Sequence, residues 1–514
     1  MTEMRRPAVP AHRRPAPARR CMLWMPLFCG VASWHAQFAN AQRIDVLGPQ
    51  VRKYVQVSSP KAVLEHVQVI DGTGAPPRPD QNIYIEDGKI SAIAPGADLP
   101  SSEGTAIIDL RGFSVMPGII GMHDPLYYTA RPNLAADRSS EAPPQFLPMS
   151  FSAPRLYLAN GVTTMRTAGG VAPYTDLKLK RAIESGVLPG PHLDVTGVYL
   201  DGPGNPFLQM QELSGPEDAR ETVAYWAERG VTSFKAYAHI TRAELSAAVK
   251  EAHKHGLKIT GHLCSITYEE AAEIGIDNLE HGFFVNTQLD PDKKPDSCTA
   301  SAGDYTLEHM RPGSDEANRL IATLIKHHVA ITSTLPGTAS SVPELEKTAD
   351  GRPALRPAAL RAMAPALREA VLFDRNRVPR QSTPSVAFLL RREMDLERAF
   401  VAAGGLLLAG PDATGNGGVI PGFGDHTEIE LLVDAGFTPV QAIRIATLNG
   451  AMFLGREDHV GSIAPGKNAD LVVVKGDPAT RIADIENVEI VFKDGVGYDV
   501  NRLLDSVKGR YGEY

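Results

Sequence analysis

From residue 231 to residue 281 the chain repeats one hydrophobic and polar pattern. A short apolar run leads to a polar N-cap, an amphipathic segment, a glycine and the next apolar run. Residues 231–236 read as a strand. Thr241-Arg242-Ala243-Glu244 then forms a capping-box sequence, in which threonine and glutamate satisfy the free amides of a helix start. Leu245, Ala248, Val249 and Ala252 follow at i, i+3, i+4, i+7 spacing, an apolar stripe along one helix face. Gly256 stops that helix, and residues 257–260 read as the next strand. Thr267-Tyr268-Glu269-Glu270 caps a second helix that Gly275 ends, before a strand at 276–279. Alternating strands and helices of this kind predict a parallel α/β domain.

The flanks have a different texture. Residues 62–70 and 83–93 read as strands with turns at Asp71-Gly72 and Asp87-Gly88, and 106–109 and 113–116 add two more. From 117 to about 455 strands and helices alternate. Within that span 329–335 is a predicted strand, 394–403 a helix, and 405–409 a strand leading to Pro411-Asp412. A Pro-, Ala- and Arg-rich insertion at 338–385 is placed to form a lid. Thr438 with Pro439 marks another helix start, for 440–446. Strands return at 469–475 and 488–493, with a turn at Asp494-Gly495. The expected layout is a barrel-sized domain at 117–457, with 42–116 and 458–514 as two parts of one small β domain.

Composition changes this picture little. A 514-residue chain with 43% hydrophobic and 22% charged residues has ordinary globular proportions. A net charge of -8 argues against a nucleic-acid partner. Basic residues do cluster at Arg5, Arg6, Arg13, Arg14, Arg19 and Arg20, followed by an apolar stretch at 21–34 and Ala39-Asn40-Ala41. That order reads as a signal peptide, residues 1–41, and predicts a periplasmic or secreted protein. The Arg19-Arg20 pair is a weak twin-arginine signal, and a disordered or anchoring N-terminus is the competing reading. The apolar run is short for a membrane span, so no stable span is expected after cleavage. Cys264 and Cys298 remain of the four cysteines. Either they form a disulfide, as an oxidising compartment permits, or Cys264 is a buried free thiol near the site.

Candidate chemistry sits where apolar runs end, at His123, Lys235, His262, His281 and Asp412. The ends of parallel strands in a barrel point into a common mouth, and imidazoles with a carboxylate are the usual ligands of a catalytic zinc-like ion. Two residues past His123, on the same strand face, stands Pro125, which cannot bind a metal. His253 and His255 lie near a helix C-terminus, where a cation suits the dipole. His327 and His328 read as solvated, and His426, in the loop after Asp412, reads more as a structural histidine than as one that reaches substrate.

These residues lie in motifs that resemble the amidohydrolase superfamily, specifically its imidazolonepropionase-like and prolidase-like metal-dependent hydrolases. The motifs are Met116-Pro117-Gly118-Ile119-Ile120-Gly121-Met122-His123, Gly161-Val162-Thr163-Thr164-Met165-Arg166 and Phe234-Lys235-Ala236-Tyr237. Gly261-His262, Leu279-Glu280-His281-Gly282 and Ala409-Gly410-Pro411-Asp412 follow, and the tail from Gly461 to Val473 is family-specific. The resemblance implies an α/β fold, a (β/α)8 TIM barrel with a small composite β-sandwich built from the N- and C-terminal segments. It implies one or two divalent metal ions, zinc foremost, held by His123, Lys235 as a bridging carbamate, His262, His281 and Asp412. Asp412 would also exchange a proton with the attacking water and the leaving amine. Tyr237 would either donate a hydrogen bond to the developing oxyanion or serve as a structural tyrosine.

The departure is His123-Asp124-Pro125 in place of the family's His-x-His. Asp124 substitutes only if the proline distorts the strand. Three outcomes stay open: one ion at His262 and His281, two ions with the first weakly held, or no metal and no activity. The leading reading is hydrolysis of an amide or peptide-like C–N bond in a small-molecule substrate such as an N-acyl amino acid, dipeptide or cyclic amide. Its rival is a catalytically impaired relative that binds a ligand or partner. A homo-oligomer is compatible with either.

Overall fold

The computed structural model describes residues 46–100, 102–130, 143–340, 356–376 and 385–513, with helices and strands interleaved throughout. The signal peptide expected at 1–41 lies outside the described residues, as does much of the expected lid at 338–385. The described part of that insertion contains two helices, Pro357–Ala362 and Pro365–Asn376.

The local signals act as their chemistry requires. Thr241 and Thr267 each close a reciprocal capping box, starting Arg242–Lys254 and Tyr268–Ile274. Gly256 and Gly275 take left-handed φ of 70° and 104° where those helices end. One helix starts earlier than its periodicity suggests. It spans Val386–Ala402, because Ser385 accepts the Phe388 amide and caps it directly after Pro384 in the proline-rich stretch. The helix beginning at Pro439 also runs on, through a π-turn at Ile445–Asn449 into Gly450–Leu454.

The result is a mixed α/β fold. Seven strands lie in the order Gln211–Glu212, Thr196–Asp201, Ser233–Ala236, Lys258–Gly261, Asn278–Glu280, Ala330–Ser333, Leu407–Ala409, all paired in parallel. A second parallel sheet has the order His192–Asp194, Val162–Arg166, Ile119–Gly121. Backbone bonds join the two sheets beside the Ile119–Gly121 and Leu407–Ala409 strands, and again between the residues after Val162–Arg166 and the Thr196–Asp201 strand. Met122 N donates to Ala409 O at 2.9 Å, and Gly170 N to Gly197 O at 2.9 Å. Helices pack outside this layer, and strand residues such as Phe234, Ile259, Leu279 and Ile331 form one large core with them.

Chain flanks meet in a nine-stranded sheet. Its seam is Leu471–Lys475 against Phe113–Pro117, antiparallel, with Leu471 opposite Pro117. The sequence after that seam bond runs straight into the Ile119–Gly121 strand, so this sheet anchors the first strand of the parallel layer. No helix among the described residues is long and apolar enough to cross a membrane.

Cys264 and Cys298 form a disulfide, with Cα atoms 4.8 Å apart. It ties the loop after the Lys258–Gly261 strand to a long loop that Lys293 and Asp290 organise. Lys293 Nζ donates to the carbonyls of Cys264, Ser265 and Ser297, and Asp290 accepts from Thr306 and Gly303. Closing a loop of 34 residues restricts the unfolded chain, so Cys298→Ser should lower stability by about 2–4 kcal/mol, read from denaturant midpoints under non-reducing conditions.

Three buried glutamates, Glu393, Glu397 and Glu428, form a second polar feature, and they brace backbone behind the strand ends. Glu393 accepts the Phe283 amide at 2.8 Å, Glu397 the Ser333 hydroxyl at 3.0 Å, and Glu428 the Leu335 amide at 2.9 Å. Burial pushes the Glu393 carboxyl up to about 8 from 4.5. The native state therefore holds a proton that the unfolded chain releases, between those two values. Its stabilising share is complete below pH 4.5 and is lost as pH rises through 8. Glu393→Gln should flatten the fall in melting temperature between pH 4.5 and 8.

Candidate active site

The site is built on one buried ion pair. Asn278 and Glu280, two apart on a strand, share its inner face, and both are fully buried. Arg166, at the end of its own strand, donates through Nη2 to Glu280 Oε1 at 2.8 Å, Asn278 Oδ1 at 2.7 Å and Thr332 Oγ1 at 3.2 Å. Its Nε donates to Met122 O at 2.8 Å. Thr260 also donates its hydroxyl to Glu280. Burial works against ionisation of Glu280, but Arg166 and then His123 outweigh it and hold the carboxyl well below its usual range.

The other Glu280 oxygen accepts from His123 Nδ1 at 2.8 Å. That bond turns Nε2 of His123 towards the mouth, where it meets Lys235 Nζ at 3.1 Å and Asp412 Oδ1 at 3.3 Å. Lys235 is 1% exposed. Burial pulls its amine down to about 8, against the opposing pull of Glu280 and Asp412.

His281 follows Glu280 directly, and on an extended strand the two would face opposite sides. The backbone of His281 instead turns left-handed, φ 64°, and brings the ring round to the mouth. Asp412 does the same, with φ 52°. Such conformations cost on the order of 1–3 kcal/mol in a non-glycine residue and mark functional turns. Tight packing holds both. Thr334 Oγ1 pairs with His281 Nδ1 at 3.0 Å, and Asp412 N donates to His123 O at 3.0 Å. Gly410 allows the second approach, since a Cβ there would lie 2.2 Å from His123 N.

One ligand atom each from His123, His281 and Asp412 thus falls within 4.8 Å of the others. His262 stands beside them, its ring 4.6 Å from that of His281 and 4.6 Å from that of Tyr237. Burial, with Lys235 alongside, takes the His262 imidazole down to about 3, and burial with His262 and His123 takes His281 well below its usual value. Burial disfavours ionised Asp412, yet His123, His281 and Lys235 more than offset that and keep it ionised. The His262 and His281 imidazoles, held neutral by burial, and an ionised Asp412 carboxylate beside His123 suit a divalent ion. Burial pushes the Tyr237 phenol up, so it remains a proton donor at neutral pH.

Asp124, the conditional substitute, is outside this group: it is fully buried, its carboxylate fills the space beside Gly121 where a Cβ would clash, and it lies against Asp425. Pro125 supplies only its carbonyl, which accepts from the Tyr157 hydroxyl at 3.1 Å. His426 is 1% exposed and structural: Nε2 bonds Asn160 O at 2.7 Å and Nδ1 meets Arg356 at 3.1 Å. Conversely, Glu280 and Arg166 were read only as motif letters, and their pairing across 114 residues has no sequence signature.

The chain matches the amidohydrolase family over residues 155–497. It belongs to that family. The matched span includes Lys235, His262, His281 and Asp412 and begins after His123 and Pro125. An imidazolonepropionase from Porphyromonas gingivalis is 35% identical over 97 residues, 18% of this chain and 22% of that protein. An adenine deaminase from Ligilactobacillus salivarius is 42% identical over 67 residues, 13% of this chain and 11% of that protein. The chain therefore aligns with less than a quarter of either curated relative's length. Among solved structures, a Xaa-Pro dipeptidase with bound methionine in its active site superposes with a TM-score of 0.60 at 22% identity, covering 85% of this chain and all of that one. This likeness is one of fold.

Glu280 makes a testable case. Replacing its carboxylate with an amide weakens the group that orients His123, and partners of this kind typically cost 10–100-fold in metal affinity. Glu280→Gln should bind zinc about 10–100-fold more weakly in competition with a chromophoric chelator, while circular dichroism shows the fold retained.

Proposed function

We propose that this chain is an exported, metal-dependent hydrolase that cleaves an amide or peptide-like C–N bond in a small molecule. The observation that carries this reading is the convergence of His123, His281 and Asp412, flanked by Lys235, His262 and Tyr237, at the ends of parallel strands. A divalent ion bound there would supply Lewis acidity, making water more acidic and polarising a carbonyl. The chain's own groups complete the chemistry. Ionised Asp412 accepts the proton of the attacking water and returns it to the leaving nitrogen. Tyr237, kept protonated by burial, donates to the carbonyl oxygen as negative charge builds there. Burial pulls the Lys235 amine down towards the neutral form that reacts with carbon dioxide, and a carbamate there would add an anionic donor.

Two further readings belong to this proposal. The two parallel sheets are read as one (β/α)8 barrel, supported by the backbone bonds that join them. Export is supported by the N-terminal sequence and by the Cys264–Cys298 disulfide, which an oxidising compartment sustains. For the substrate, N-acyl amino acids, dipeptides and cyclic amides are the classes to try, in line with the dipeptidase and imidazolonepropionase relatives.

The second reading, a catalytically impaired binding protein, is favoured by Pro125 alone. Purified protein loaded with zinc, manganese or cobalt should hydrolyse at least one member of a panel of these three classes, and Asp412→Asn should lower kcat by about 10²–10⁴-fold. No turnover with any metal, at saturating bicarbonate, would favour the binding protein instead.

A further inference from the structure

We propose that the mouth holds a single divalent cation on three protein donors, His123, His281 and Asp412, and that His262 is not one of its ligands. This rests on the metal-dependent reading above and narrows it. In the pattern implied by family resemblance, His262 and His281 hold one ion together, while His123 and Asp412 help to hold another. The geometry divides these residues differently. The three donors that come within 4.8 Å of one another are drawn from both halves of that pattern, and His262 is outside the set.

Three independent features support this grouping. First, the backbone is left-handed at His281 and Asp412, and it is these turns that bring the two donors to His123; His262 needs no such turn. Second, each of the three is fixed by a neighbour. Glu280 holds His123 Nδ1, Thr334 holds His281 Nδ1, and the His123 carbonyl holds the Asp412 amide. The ring of His262 instead lies 4.6 Å from each of the Tyr237 and His281 rings. Third, a second ion lacks donors on the first-strand side. Pro125 offers none, and the buried Asp124 is outside the converging set, with its carboxylate beside Gly121 and against Asp425.

The test is metal content and affinity, independent of turnover. Full-length protein equilibrated with zinc and freed of excess ion should carry one zinc per chain by inductively coupled plasma mass spectrometry. His262→Asn should keep that ion with Kd within about threefold of wild type, while His281→Asn should lose at least 100-fold. His262→Gln gives the same comparison should the asparagine variant fail to fold. Two zinc ions per wild-type chain, or equal loss in the His262 and His281 variants, would overturn the proposal even if the enzyme hydrolyses amides. One ion with the predicted variant pattern, without turnover on any substrate, would uphold it while removing the hydrolase reading. No bound ion at all would overturn both.

Discussion

The carboxylate of Glu280 is the point on which the site's geometry depends. It lies under the mouth with no access to water, where an unpaired charge would be costly. Arg166, Thr260 and His123 each reach it from a different strand, and Arg166 carries the connection on to Asn278, Thr332 and the Met122 carbonyl. One ion pair thereby holds five strand ends in register with one another. Because the same carboxylate takes His123 Nδ1, the orientation of a candidate metal ligand is set by the group that ties the strands together.

Above that floor the chain spends backbone strain to assemble donors. His281 and Asp412 both leave their strands through left-handed turns, and each turn is braced from behind. Gly282, itself left-handed, sits so close to Glu393 that a Cβ would lie 1.7 Å from its carboxylate oxygen. Glu393 in turn accepts the next free amide, that of Phe283. Gly410 plays the matching part beside His123. Strain at a site persists only where the surroundings over-determine it, and the buried glutamates and close backbone contacts are those surroundings. Their cost is pH sensitivity, since carboxyl groups in that environment are stable chiefly while protonated.

Much of this was legible in the chain. Capping boxes at Thr241 and Thr267, and glycines 256 and 275, act over three to four residues, so their outcome follows from local chemistry alone. The strand-end positions of Lys235, His262 and His281 follow from those elements, and the motif resemblance to amidohydrolases extended the same reasoning to His123 and Asp412. Legibility failed where partners are distant in sequence. Nothing at the place of His426 in the sequence announces its partners Asn160 and Arg356. The helix at Val386–Ala402 reads as shorter than it is, because a serine cap inside a proline-rich stretch looks like loop.

Element order, the family to which the chain belongs and the residue types at the strand ends were determined by the sequence, because hydrophobic period, capping and turn chemistry are local. Which donors meet was decided only by the tertiary structure. A period-two strand places Glu280 and His281 on opposite faces; a left-handed turn, affordable only against Glu393 and Thr334, reverses that. Likewise Pro125 announces a missing ligand in the sequence, but that Asp124 lies outside the converging donors, buried against Asp425, is seen only in the folded chain. The physical reason is the same in each case: side-chain direction at a strand end is set by packing against residues distant in the chain, from 53 positions for Thr334 and His281 upwards.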